Sequence, residues 1–268
     1  MTRLDETFAK ARVDGRGVLV GYLPAGLPSV AGAIDCFTAM VGSGVDVVEV
    51  GLPYSDPVLD GPVIQTAVDR ALAAGTSTAD VLRTVEGVAR TGAPVVVMTY
   101  WNPVEQYGVD RFARDLVSAG GAGLITPDLT PEEAGPWLAA ADAHGLDPVF
   151  LVAPSSTDER LERIARLCRG FVYATSVMGV TGERSRTSDR APALVARLRA
   201  VTDTPVGVGL GVSNGDQAAE VAGYADGVIV GSAFARAVLE ADSPAAAVSG
   251  TGALAADLAA GVRRRSVG

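Results

Sequence analysis

Eight short runs rich in β-branched residues recur along the chain, separated by longer stretches of helical character, and this alternation constrains the fold more than any other feature. The runs cover residues 18–20, 45–50, 95–98, 123–125, 149–152, 171–173, 206–208 and 227–230. Most are apolar almost without interruption. Such strands are buried on both faces, which is the condition of a parallel sheet covered by helices. Helical stretches are predicted over 29–41, 109–119, 131–144, 158–167, 190–201 and 214–222, several opening on a Ser, Asn or Asp cap. An amphipathic stretch over 4–11 precedes the first strand. Leu254, Leu258 and Val262 continue a helical spacing after the last, and Arg263-Arg264-Arg265 reads as its solvated end. Eight β/α units in 268 residues predict an α/β fold of the TIM (β/α)8 barrel type, with extra N-terminal and C-terminal helices, as one domain over 1–268. An open doubly wound sheet is the competitor, but Gly21-Tyr22-Leu23-Pro24-Ala25-Gly26 lacks the GxGxxG spacing expected after its first strand.

Composition removes whole classes of mechanism. A net charge of −9 repels nucleic acid and anionic membrane surfaces at long range, without forbidding a local phosphate pocket. His144 is the single histidine, so no histidine cluster for a metal is available, and it sits at a polar helix end that reads as surface. Lys10 is the single lysine and lies in the N-terminal amphipathic stretch, away from any strand end, which argues against a Schiff-base lysine and a pyridoxal phosphate anchor in this chain. Any acid/base work therefore falls to carboxylates. Cys36 and Cys168 are distant and lack a CxxC partner, so they read as buried thiols. The N-terminus carries no apolar signal segment and no uninterrupted apolar run of roughly 18 residues is evident, so a soluble, cytoplasmic chain is expected.

In a barrel, chemistry gathers at the C-terminal ends of the strands. Glu49 stands near the end of the second run, where a carboxyl must be paired, solvated or protonated. It is either an edge or arginine-paired residue, or an acid of raised pKa suited to holding and releasing a proton. The following stretch, 51–62, has no helical period and reads as a structured loop over the mouth. Within it Asp60 is either the cap of the helix that follows or a second working acid opposite Glu49. Gly209-Leu210-Gly211 and Gly231-Ser232 close the last two strands, as ordinary turns or as backbone donors for a phosphate. Residues 179–189 are polar and aperiodic, an idle surface loop or a lid.

Glu49-Val50-Gly51-Leu52-Pro53-Tyr54-Ser55-Asp56-Pro57, continuing to Asp60-Gly61-Pro62 and Ile64-Gln65, resembles the signature of the tryptophan synthase alpha chain family. Tyr100 with Asn102-Pro103, Pro127-Asp128-Leu129, Ala153-Pro154, and Tyr173 followed by Gly179-Val180-Thr181-Gly182 extend the resemblance over essentially the whole chain. It implies a TIM barrel that cleaves indole-3-glycerol phosphate to indole and glyceraldehyde 3-phosphate by a retro-aldol step. Glu49 would be the general acid/base and Asp60 the carboxylate that receives the indole N–H. Gly182, Gly211, Gly231 and Ser232 would hold the phosphate, Tyr173 would line the site, and Thr181 would help close the lid over Asp60. Pro53, Asp56 and Pro57 would lie near the interface with a beta chain in an α2β2 complex, which receives the indole and carries the pyridoxal phosphate. This chain is then expected to hold no cofactor of its own. Two departures from the family pattern are Leu27, where an aspartate is expected, and Ser176-Val177-Met178, where Ser-Arg is frequent. A stand-alone lyase with the same site and a non-catalytic barrel that activates a partner are the competing readings.

Overall fold

The apolar runs become eight parallel strands: β1 Val18–Pro24, β2 Val47–Gly51, β3 Val95–Met98, β4 Gly123–Thr126, β5 Asp147–Val152, β6 Val172–Thr175, β7 Val206–Gly209 and β8 Gly227–Val230. In this computed structural model, which describes residues 1–175 and 190–264, they follow one another in order around a closed barrel. Closure is made by β1 against β8, with Val18 opposite Gly227 and Gly21 opposite Val230. The helices are α1 Arg3–Val13, α2 Val30–Gly42, α3 Pro62–Ala73, α4 Thr78–Ala89, α5 Trp101–Tyr107, α6 Val109–Ser118, α7 Gly135–His144, α8 Asp158–Leu167, α9 Arg190–Arg199, α10 Gly215–Ala222, α11 Ser232–Leu239 and α12 Pro244–Val262. The TIM barrel and both terminal helices expected from the sequence are present.

Alternation along each strand divides the apolar residues into two cores. Val20, Val47, Val96, Ile125, Val149 and Ile229 point into the barrel, while Leu19, Val48, Val97, Leu124 and Val228 pack outward under the helices. Leu4, Phe8 and Ala11 of α1 join the inner cluster, so this helix plugs the N-terminal end of the barrel, with the Phe8 and Phe171 rings 5.5 Å apart. A capping box between Thr2 and Asp5 fixes the start of α1. The opposite, C-terminal end is therefore the open one.

Several boundaries differ from the sequence expectation for local reasons. The helix expected over 131–144 starts at Gly135, because Pro136 has no N–H to donate and its ring clashes with the preceding turn. The helix expected to reach 201 ends at Arg199, and β2 begins at Val47 because Asp46 turns its carboxylate to the Leu19 N–H and Arg16. α12 is long and apolar enough by composition to cross a bilayer. It lies instead along α2, α10 and α11, burying Ala247, Thr251, Ala255, Leu258 and Val262. Its end is tied by an Arg264–Asp216 ion pair at 2.8 Å, so this part of the basic terminus is paired rather than only solvated. His144 lies in the last turn of α7 with Nε2 2.9 Å from Asp110, and both cysteines are buried free thiols. The lid expected over 179–189, with Thr181 and Gly182, the Ser176-Val177-Met178 departure and Arg265 lie outside the described residues.

Candidate active site

β2 carries Glu49 between β1 and β3, opposite Tyr22 on one side and Val96 on the other. The carboxyl is 2% exposed, so the edge-strand reading is excluded, and it has no ion pair among the described residues. Its Oε2 is buried without a hydrogen-bond partner. Burial alone pushes the Glu49 pKa from 4.5 up to about 8, which favours the protonated acid at neutral pH. Tyr173 on β6 faces it, and burial followed by the Glu49 charge drives the Tyr173 phenol well above its ordinary range. Glycines make room for these rings. A Cβ on Gly51 would fall 2.5 Å from the Tyr22 hydroxyl oxygen, and one on Gly209 would fall 2.6 Å from that of Tyr173.

The second acid is held from another strand. Asp60 does not cap α3; the cap position is Gly61, with no side-chain cap bond, and Pro62 opens the helix. Instead the Tyr100 hydroxyl donates to Asp60 Oδ1 at 2.9 Å and accepts from the Leu59 N–H at 3.0 Å. Tyr100 follows β3, so one phenol fixes both the acid and its loop across forty residues of sequence. Burial raises the Asp60 pKa and the Tyr100 hydrogen bond opposes that rise. Tyr54 packs its ring 5.4 Å from that of Tyr100, and Asn102 Nδ2 donates to the Tyr54 hydroxyl at 3.3 Å. Asp128 receives the Trp101 N–H at 2.9 Å, satisfying the first donor of α5 just behind Tyr100.

Tyr22 is the residue that sequence reasoning missed. It lies beyond the run expected over 18–20, yet β1 continues through it, and its phenol interacts electrostatically with Asp60, Glu49, Tyr100 and Tyr173 together. The available signal was its position two residues beyond Val20 on the inward-facing alternation, near a strand end.

On the far side of β1, Gly231 follows β8 and Ser232 begins α11, whose first turn has no side-chain cap. Ser232 is buried, and a Cβ on Gly231 would lie 3.2 Å from the Tyr22 ring. Gly211 follows β7 with φ of +72°, a conformation that favours glycine. These three residues and the two acids thus share one end of the barrel. Of the loop residues, Pro53 is buried, Pro57 half-buried and Asp56 exposed, with the Ser55 hydroxyl donating to Asp56. Val58 beside them is 71% exposed. Leu27 is buried in the outer core, which accounts for an apolar side chain at that position. Lys10 is exposed on α1, at the opposite end from Glu49.

The family model described as tryptophan synthase alpha chain matches residues 8–263. The tryptophan synthase alpha chain of Salinispora arenicola is 65% identical over 263 residues, covering 98% of this chain and 98% of that relative. That of Acidothermus cellulolyticus is 64% identical over 266 residues, again with 98% of each covered. A structure of Mycobacterium tuberculosis tryptophan synthase superposes with a TM-score of 0.92 at 55% identity, covering 98% of each chain. The crystal structure of the alpha chain from Legionella pneumophila gives a TM-score of 0.88 at 35% identity, over 98% of this chain and 97% of that one.

Proposed function

Because this chain belongs to the tryptophan synthase alpha chain family, a lyase family acting on indole-3-glycerol phosphate, we propose that Glu49 and Asp60 divide the retro-aldol chemistry between them. The observation that carries this reading is a buried carboxyl with an unpartnered oxygen at the open end of the barrel, with a second acid, held by Tyr100, at the same end. Glu49 gives its proton to C3 of the indole ring, and the positive charge moves to the ring nitrogen, whose N–H is received by Asp60. The Glu49 carboxylate then takes the proton of the glyceryl hydroxyl on the carbon bonded to C3. That oxygen becomes the carbonyl of glyceraldehyde 3-phosphate, the carbon–carbon bond breaks, and its electrons restore the indole ring. Glu49 ends protonated, ready for another turnover. The ring itself is the electron sink, so the step requires no Schiff base.

Gly211, Gly231 and Ser232, with Gly182 from the family pattern, hold the phosphate through backbone N–H groups and the start of α11. Tyr173 lines the site beside Glu49, and Thr181 serves the closure over Asp60. The beta chain of an α2β2 complex is the partner, meeting this chain at Asp56, Pro57 and Pro53; the neighbouring exposed Val58 supports a docking surface there. Pyridoxal phosphate belongs to that partner, in keeping with the position of Lys10, and the cytoplasm is the compartment of this reaction.

The test is indole release from indole-3-glycerol phosphate, alone and with a beta chain added. Glu49→Gln and Asp60→Asn are each expected to lose about 100-fold or more, as a positioned proton-transfer group contributes on the order of 10²–10⁴. Turnover within about threefold of the parent in either variant overturns the corresponding role. Fast release that a beta chain does not raise would point to the stand-alone lyase.

A further inference from the structure

β1 runs between β2, which carries Glu49, and β8, which is followed by Gly231. Its inward residue at the open end is Tyr22, in register with Glu49. The ring passes close to Gly231 and the hydroxyl reaches over Gly51, the residue two positions beyond Glu49 on the same inward alternation. That hydroxyl makes no hydrogen bond among the described residues, whereas the phenol that holds Asp60, Tyr100, is engaged at both its donor and its acceptor side. A phenol placed between two glycines, next to a buried carboxyl with an unpartnered oxygen, is a donor waiting for an acceptor. The acceptor arises when Glu49 gives up its proton.

We propose that Tyr22 is a positioning residue whose hydroxyl donates to the Glu49 carboxylate formed during the reaction. This rests on the reading of Glu49 as the general acid/base. In the resting chain Glu49 is a neutral acid and the bond is not needed. Once the proton has moved to the indole ring, the carboxylate is a buried anion, and a neutral hydroxyl stabilises it without adding charge. Tyr22 from β1 and Tyr173 from β6 lie beside Glu49, and Asp60, from the loop after β2 and held by Tyr100, lies near Tyr22. Asp60 brings negative charge, so the phenols are the donors among them. Tyr22 stands on the strand next to Glu49 and in register with it, whereas Tyr173 comes from β6, four strands away around the barrel.

The experiment compares Tyr22→Phe and Glu49→Gln with the parent, each in complex with a beta chain, measuring kcat and KM for indole release across pH. Loss of a donor to the anion makes Glu49 a weaker acid. The alkaline limb of kcat should therefore move upward by about one pH unit, and plateau kcat should fall about tenfold, with KM within about twofold. Site-specific 3-fluorotyrosine at position 22 keeps the ring, sharpens the donor and should move the limb down, a result that does not depend on the phenylalanine variant folding. An unmoved limb in both variants, or a loss confined to KM, overturns the role of Tyr22. If Glu49→Gln remains active, both the role of Tyr22 and that of Glu49 fall; if it is inactive while the limb stays fixed, only Tyr22 does.

Discussion

Replacing Glu49 with glutamine removes the buried acid while keeping its shape, and stability measured against pH then isolates the ionisation of that one group. The carboxyl titrates at about 8 in the folded chain against 4.5 ordinarily, because burial disfavours its charged form. The fold therefore favours the proton. The stability associated with that proton is fully present below about pH 4.5 and is lost as pH rises through about 8. At about 1.4 kcal/mol per pKa unit, the complete span is on the order of 5 kcal/mol, of which about 4 falls between pH 5 and pH 9. Glutamine does not titrate, and its unpaired amide adds a constant offset of roughly 1–3 kcal/mol. Urea unfolding of the parent and of Glu49→Gln at pH 5, 7 and 9 should show the stability difference moving in favour of the variant by about 4 kcal/mol across that range. A difference that changes by less than about 1 kcal/mol would refute the burial argument, whatever its absolute value.

Tyr100→Phe removes a hydrogen bond that favours the charged form of Asp60, so the acidic limb of kcat/KM should move to higher pH, checked in the same indole assay. Gly51→Ala would place a Cβ 2.5 Å from the Tyr22 hydroxyl oxygen and force that ring aside, and activity should fall at least about tenfold. Phe8→Ala opens the far end of the barrel rather than the site. Unfolding should show a loss of about 3–5 kcal/mol, while kcat per folded chain stays within about twofold.

The barrel was legible because strands buried on both faces are written as apolar runs, and eight of them with helical stretches between leave few architectures. Glu49 was legible for the same reason in reverse, as one carboxyl inside such a run. Asp60 was not settled by its neighbours: an acid before Gly61-Pro62 serves equally well as a cap, and the distinction lies in Tyr100, forty residues away. Tyr22 was hidden because the apolar run ends at Val20 while β1 continues to Pro24, and only the pairing of β1 with β2 sets it beside Glu49. Helix α11 escaped because Ser232–Leu239 is short and mostly apolar, with no clear polar face. The start expected for α7 at residue 131 moves to Gly135 because Pro136 cannot continue a helix from the turn before it.

The most direct test of the central assignment is single-turnover indole release in the complex with a beta chain, comparing the parent with Glu49→Gln and Asp60→Asn. Single turnover separates cleavage from product release. The account predicts that both variants still bind indole-3-glycerol phosphate while the cleavage rate falls by about 100-fold or more in each. A variant that cleaves within about threefold of the parent would contradict the division of labour between these two carboxylates.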